Sequence, residues 1–223
     1  MVNIRIRKNG NVKSNNTNIS PLSAVMTPYP NNRKPDTDRP LLLHCCCGPC
    51  AAGSIAPVLE TERGLTLLFS NSNLDTESEY ERRLDALLTL AKHYGLRVLT
   101  DPWDHAGWLK FVAEVPDYAN CPERGARCRR CFLWQLTRTA ETAEKLGANF
   151  TTTLTLGPRK DSAVIHAVGA KWNAFEPWDF KKGGGGVRSR ELCVLLNLYR
   201  QNYCGCEFSK KASEKNLLIA SIL

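Results

Sequence analysis

The chain is predicted to fold as an α/β domain with a mostly parallel sheet flanked by helices. Three observations carry that prediction. Short apolar runs alternate with longer segments of helical period. Glycine, proline and polar clusters separate the two kinds of segment. No stretch of about 18 apolar residues occurs, so no membrane-spanning helix is expected.

In chain order, residues 1–38 are rich in Asn, Ser, Pro and Lys/Arg without an apolar period, which predicts a disordered basic tail. Residues 39–223 are expected to form a single α/β domain. Leu41-Leu42-Leu43 reads as a buried strand ending in a loop. Ala51 to Leu59 reads as a helix, with Pro57 awkwardly inside it. Leu65 to Phe69 is a second strand, and Asn71 to Thr76 a polar loop. Glu77 to Tyr94 carries Tyr80, Leu84, Leu87, Leu88 and Ala91 at helical spacing, and Gly95 stops it. Leu96 to Leu99 is a third strand, and Trp108 to Val112 a short helix. Cys131 to Leu146 is amphipathic, with Phe132, Leu136, Ala140 and Ala143 on one face and Gly147 as its cap. Phe150 to Leu156 is β-rich and Ser162 to Gly169 helical.

The formal net charge is +8, but its distribution weakens it as a sign of nucleic acid. Residues 1–40 hold seven Lys/Arg against two Asp/Glu, leaving 23 against 20 elsewhere. No signal-peptide pattern follows the basic N-terminus, so a cytoplasmic location is expected. In a reducing compartment cysteines read as metal ligands or catalytic thiols rather than structural disulfides.

There are ten cysteines, and seven of them fall in two knots. The first is His44-Cys45-Cys46-Cys47-Gly48-Pro49-Cys50. It directly follows the first strand, where α/β sheets place their sites. The second is Cys121 followed by Cys128-Arg129-Arg130-Cys131. The Cys-x-x-Cys spacing aims two sulfurs at one metal, and a helix start favours thiolate charge there. Cys46 and Cys47 are the natural second pair for a four-thiolate cubane. Zinc and free or packed thiols remain open on spacing alone. Cys204-Gly205-Cys206 reads as a redox-active dithiol, as ligands of a second metal, or as two plain thiols. Its disulfide ring would be very small and easily reduced. Cys193 is expected to pack in the core, Cys45 and Cys121 to bind nothing, and His44 to be a satisfied structural histidine.

These residues resemble a family. The first knot resembles the His-x-Cys-Cys-x-Pro-Cys signature of QueH-type epoxyqueuosine reductases. Further segments follow in that family's order: Glu79-Tyr80-Glu81-Arg82-Arg83, Glu123-Arg124-Gly125 before the Cys-x-x-Cys, Thr151 to Thr155, Asp179-Phe180-Lys181-Lys182 and Tyr199 to Cys206. The resemblance covers about residues 40–210. The chain departs from the pattern at Gly157-Pro158-Arg159-Lys160, where relatives commonly carry Ser-Pro-His-Lys, and at Gly183 to Gly186, which replaces a less glycine-rich loop. It implies a Rossmann-like fold related to the adenine-nucleotide alpha-hydrolase superfamily. It implies a [4Fe–4S] cluster with an additional iron ion or redox thiol pair nearby. It implies an oxidoreductase that turns epoxyqueuosine at a tRNA wobble position into queuosine, the last step of queuosine biosynthesis. On that basis Cys46, Cys47, Cys128 and Cys131 would hold the cluster and Cys204 and Cys206 would be catalytic. Cys50 would be a second-metal ligand.

Turning an epoxide into an alkene takes two electrons and two protons, and a cubane passes one electron at a time. A second store is therefore expected, either the thiol pair or a metal that grips the epoxide oxygen. Tyr203, Asp161 and His44 are candidate proton donors. Arg124, Lys160 and Arg200 are the candidate substrate-binding residues, within a basic set beside the Cys-x-x-Cys. Trp103, Trp108, Trp172 and Trp178 could stack bases or fill the core. The expected partners are tRNA and an unknown electron donor, with no membrane. Two other readings compete: an iron–sulfur tRNA thiotransferase on the same fold, and a non-catalytic zinc module that grips RNA. The bulky Cys45-Cys46-Cys47 loop argues against the ATP site that the thiotransferase needs.

Overall fold

The computed structural model describes residues 38–220. The tail expected over residues 1–38 lies, Asp38 apart, outside the described residues. Four strands form one all-parallel sheet in the order β3-β2-β1-β4. They are β1 (Leu41–His44), β2 (Leu65–Phe69), β3 (Arg97–Thr100) and β4 (Asn149–Thr152). Leu41 pairs with both Leu65 and Asn149, and His44 with Leu68 and Thr152. The helices among the described residues are α1 (Gly48–Leu59), α2 (Glu77–Tyr94), α3 (His105–Val112), α4 (Ala126–Lys145), α5 (Ser162–Gly169), α6 (Gly185–Leu195) and α7 (Glu207–Ala220). None is long and apolar enough to cross a membrane.

The central strand is buried along its whole length, which is why Leu41-Leu42-Leu43 does not alternate with polar residues. Alternation instead sends its side chains to two cores. Leu41 and Leu43 join Leu67 and Phe69 under α1, α2 and α6, where Ile55, Leu87 and Cys193 pack. Leu42 joins Leu68 and Phe150 under α4 and α5, where Phe132, Leu136 and Ile165 pack. With both faces covered, the open place for a site is the carboxyl edge.

Element boundaries depart from expectation for local reasons. α1 begins three residues before Ala51, because the Cys47 sulfur accepts the Cys50 N–H and Pro49 sits in the first turn, where a missing N–H costs nothing. Pro57 is tolerated because the carbonyl it deprives, that of Gly53, receives the Arg188 guanidinium at 3.2 Å from α6. α4 starts at Ala126, so both cysteines of the Cys-x-x-Cys lie in its opening turns. Gly147 adopts a left-handed φ of 62° just past that helix, and the Ala148 N–H returns to the Ala143 carbonyl. The β-rich run from Phe150 stops early. Thr152 accepts the Leu154 N–H and turns the chain into a 3-10 turn over Thr153–Leu156.

The buried face of α2 also differs. Leu88 is exposed, and the inward positions include the charged pair Glu79 and Arg83. The Gly183-to-Gly186 run is a tight turn. Gly183 and Gly184 have positive φ, and Gly185 packs against the Phe180 carbonyl too closely for any Cβ.

Candidate metal centre and thiol cleft

β1 delivers the first knot to the carboxyl edge of the sheet. Cys45 turns into the α1 core and donates to the Leu43 carbonyl, so it acts as a spacer. Cys46 and Cys47 follow, and α1 adds Cys50 from its first turn. The three sulfurs lie within 4.8 Å of one another, and Cys46 and Cys47 are 3.9 Å apart. That gap matches the ~3.8 Å expected across a tetrahedral pair of ~2.3 Å metal–sulfur bonds to one ion; on a cubane, where each thiolate takes its own iron, the two sulfurs would stand further apart. Thr153 accepts the Cys46 N–H at 3.1 Å and donates its hydroxyl to the Cys46 sulfur.

Charge is distributed unequally in this triad. Hydrogen bonds from Cys47 and then Cys50 hold the Cys46 thiol well below its usual range, burial opposes them, and Lys160 and Thr153 assist. Cys46 is therefore the first thiolate. Its proximity pushes Cys47 up to about 12 and Cys50 well up, through the same hydrogen bonds, with burial adding to both. Cys46, Cys47 and Cys50 would hold a metal ion as thiolates, so binding one would release the protons of Cys47 and Cys50. Burial works against a charged Lys160, but the surrounding sulfurs of Cys204, Cys46, Cys50 and Cys47 outweigh it and keep the ammonium protonated.

A cleft opens beside the triad. Cys128, Cys131, Cys204 and Cys206 line it, together with Trp108, Lys160 and Asp161. Cys128 packs on the apolar cluster that contains Cys46 and Cys47. Its sulfur accepts the Arg124 N–H at 3.3 Å, and Cys131 accepts from Gln135 at 3.2 Å. Burial raises the thiol pKa of both. Burial and then Cys204 push Cys206 up to about 12. The Cys204–Cys206 loop is held firmly. Ser209 accepts the Cys204 and Gly205 N–H groups, Arg83 donates to the Cys204 carbonyl at 2.9 Å, and the Asp75 N–H meets the Gly205 carbonyl at 3.0 Å.

The donor set suits a soft metal or an iron–sulfur group. Two orphaned donors point the same way. Arg83 Nη2 and Trp108 Nε1 are buried and have no hydrogen-bond partner among the described residues. Arg83 lies in the field of the Cys46–Cys47 pair, and Trp108 Nε1 lies beside the Cys131 sulfur, its nearest acceptor in the cleft. Buried donors rarely go unpaired, and the sulfurs of a bound anionic group would supply the acceptors.

The remaining candidates are placed as follows. His44 is buried with both ring nitrogens engaged, Nδ1 with Thr152 at 2.8 Å and Nε2 with the Ser70 carbonyl at 3.1 Å, and burial lowers its pKa. It is a structural histidine. Tyr203 donates its hydroxyl to Asp75 at 2.8 Å. Asp161 borders the cleft and caps α5 through Ala163. Arg124 borders the cleft and gives its guanidinium to the Pro158 and Arg159 carbonyls. Arg200 is exposed and does not line the cleft. Cys193 is in the core, and the Cys121 sulfur accepts the Arg127 N–H. Trp108 is buried; Trp103, Trp172 and Trp178 are half-buried and packed.

Three features escaped the sequence reading. The loop Ser70-Asn71-Ser72-Asn73 is buried although polar, because it ties the strand ends to the site: Asn71 donates to the Cys45 carbonyl and Asn73 accepts from Gln135. Arg83 is the second. The third is α7, whose first turn carries Ser209 and Glu207. Glu207 lies 3.6 Å from His105, which stacks between Trp103 and Trp108.

The His105–Glu207 contact has a pH signature. Glu207 raises the His105 pKa, burial opposes, and the Ser72 carbonyl and Asp75 assist. A raised folded value means that its stabilisation is full below about pH 6.5 and fades as pH rises through the folded value. Melting temperatures of the wild type and of His105→Gln, measured from pH 5.5 to 9, should converge at the alkaline end. Parallel curves would remove His105 from this role.

Comparison with known proteins agrees with the geometry. The family model described as epoxyqueuosine reductase QueH matches residues 41–212. The epoxyqueuosine reductase QueH of Thermotoga maritima is 37% identical over 175 residues, covering 76% of this chain and 89% of that protein. Those of Streptococcus pyogenes and Haemophilus influenzae are 34% and 32% identical, over 77% and 81% of this chain and 70% and 76% of their own lengths. With a cysteine-rich centre at the carboxyl edge of a parallel sheet and a match running from β1 into α7, the chain belongs to the epoxyqueuosine reductase QueH family.

Proposed function

We propose that this protein reduces epoxyqueuosine to queuosine in tRNA, the activity for which its relatives are named, with residues 39–223 acting as one catalytic domain. The observation that supports it most is the gathering of seven cysteines at one sheet edge, three in the triad and four in the adjoining cleft. In this reading Cys46, Cys47, Cys128 and Cys131 hold a [4Fe–4S] cluster. Cys50 is a ligand of an additional iron, and Cys204 and Cys206 are the redox pair. The cluster supplies electrons one at a time.

The reaction breaks both epoxide C–O bonds, forms a carbon–carbon double bond and releases the oxygen as water. It takes up two electrons and two protons. Oxidation of the Cys204 and Cys206 thiols to a disulfide releases the same two electrons and two protons. The small ring so formed is readily returned to the dithiol by an external electron donor. His44 has no proton to spare, and Tyr203 commits its own to Asp75. The two protons come from the Cys204 and Cys206 thiols as they oxidise, and Lys160, held protonated beside them, stabilises charge on the departing oxygen. Lys160 and Arg124 at the cleft, with Arg200 beyond it, hold the tRNA.

The test uses anaerobic protein with epoxyqueuosine tRNA. Cys204→Ser and Cys206→Ser should keep wild-type iron and sulfide content and lose turnover. Wild-type turnover in either variant would rule out the redox-pair role.

A further inference from the structure

We infer that Arg83 is a positioning residue that fastens the Cys204–Gly205–Cys206 loop and, with the same guanidinium, supplies a fixed positive charge to the Cys46–Cys47 site. The inference rests on the cluster reading above. Arg83 is 2% exposed in the middle of α2, where a guanidinium is tolerated only if it is paired. Its Nε donates to Glu79 Oε1 at 2.6 Å, one turn earlier. Its Nη1 donates to the Cys204 carbonyl at 2.9 Å, 121 residues further along. Its Nη2 is the orphan. Glu79 is fixed in turn by the Tyr199 hydroxyl at 2.9 Å, and the Tyr203 ring lies 5.2 Å from the guanidinium carbon.

Two edges of a planar fork are thus held from opposite ends of the chain, so the direction of the third edge is set. Gly48, next to Cys47, packs directly on Ala86, one turn along α2 from Arg83, so the guanidinium stands beside the site; burial opposes its charge, and Cys47, Glu79 and Cys46 restore it. A lysine offers the charge but not the fork. One ammonium on a flexible stem does not hold Glu79 and the loop carbonyl together in fixed directions.

A fixed cation beside an iron–sulfur group favours its reduced, more negative state and raises its potential. Glu79 opposes that effect. The two residues therefore act on the cluster with opposite signs, whereas a merely structural role would perturb it alike in both variants.

The experiment is a spectroscopically monitored redox titration of the full-length protein loaded anaerobically, after iron and sulfide have been quantified. Arg83→Gln should move the midpoint to more negative values and Glu79→Gln to more positive ones. Arg83→Lys should keep most of the wild-type midpoint, yet its Cys204 and Cys206 should react faster with iodoacetamide. Should Arg83→Gln not fold, the other two variants carry the test through their sign and labelling rate. An unmoved midpoint in Arg83→Gln, a negative shift in Glu79→Gln, or unchanged labelling in Arg83→Lys overturns the inference while leaving the functional reading intact. Wild-type protein free of iron and sulfide overturns both.

Discussion

Cys47→Ala should lose its bound iron and sulfide and show no turnover of epoxyqueuosine tRNA. The Cys47 sulfur has two duties. It stands 3.9 Å from Cys46 inside the triad, and it caps α1 by accepting the Cys50 N–H at 3.4 Å. Alanine ends both. Loss of the cap alone costs about 0.5–2 kcal/mol, which a domain of this size survives. Cys47→Ser separates the duties. Its hydroxyl caps the helix, but it is a hard ligand that does not replace a thiolate on iron. Cys47→Ser should therefore melt within a few degrees of the wild-type apo-protein and still lack the metal. Full iron content and wild-type turnover in either variant would remove Cys47 from the ligand set.

The second large effect is expected at a residue without a side chain. Gly205 has a φ of 138°, a conformation that favours glycine. A Cβ placed there lies 2.5 Å from Leu74 Cδ2 and 3.2 Å from Arg83 Nη1. Gly205→Ala should therefore cost about 1–3 kcal/mol in backbone strain and a similar ~1–3 kcal/mol in overpacking. The loop would lift from Arg83, taking Cys204 and Cys206 out of line with the cleft. A shift of the order of 1 Å is enough for ~100-fold in rate. Turnover should fall by that order while iron and sulfide remain at wild-type levels. Unchanged turnover would mean that the position of the loop is not set by this contact.

β1 and β2 were legible because they are short apolar runs bounded by Gly, Pro or polar residues, whereas β4, Asn-Phe-Thr-Thr, showed only as the front of a β-rich run. α4 was legible from Phe132, Leu136, Ala140 and Ala143, all of which are buried. What was not legible depended on partners far apart in the chain. Nothing in the helical period of residues 77–94 marked Glu79 and Arg83 as buried, and the Cys204 carbonyl, 121 residues away from Arg83, explains why they are. Asn71 to Thr76 reads as a polar loop, and the burial of Ser70 to Asn73 was hidden for the same reason, since the partners are Cys45, Gln135 and His105. Cys50 is different, because a local signal existed. An N-cap side chain reaches back to the N–H three residues on, so a cysteine at the cap and another at Cys50 bring their sulfurs together. The cysteine pattern placed the chemistry at the first strand's carboxyl end; the structure added that Cys50 belongs beside Cys46 and Cys47 and that the Cys204–Cys206 loop faces the Cys-x-x-Cys.

The central claim is that this thiol centre holds an iron–sulfur group and uses it on epoxyqueuosine tRNA. The most direct measurement is iron, acid-labile sulfide and zinc per chain in protein purified without oxygen, followed by turnover on that tRNA with a chemical reductant. The expected result is about four iron and about four sulfide per chain, or more, as a cubane requires, with queuosine as the product. Colourless protein that carries zinc, no sulfide and no turnover would contradict the claim.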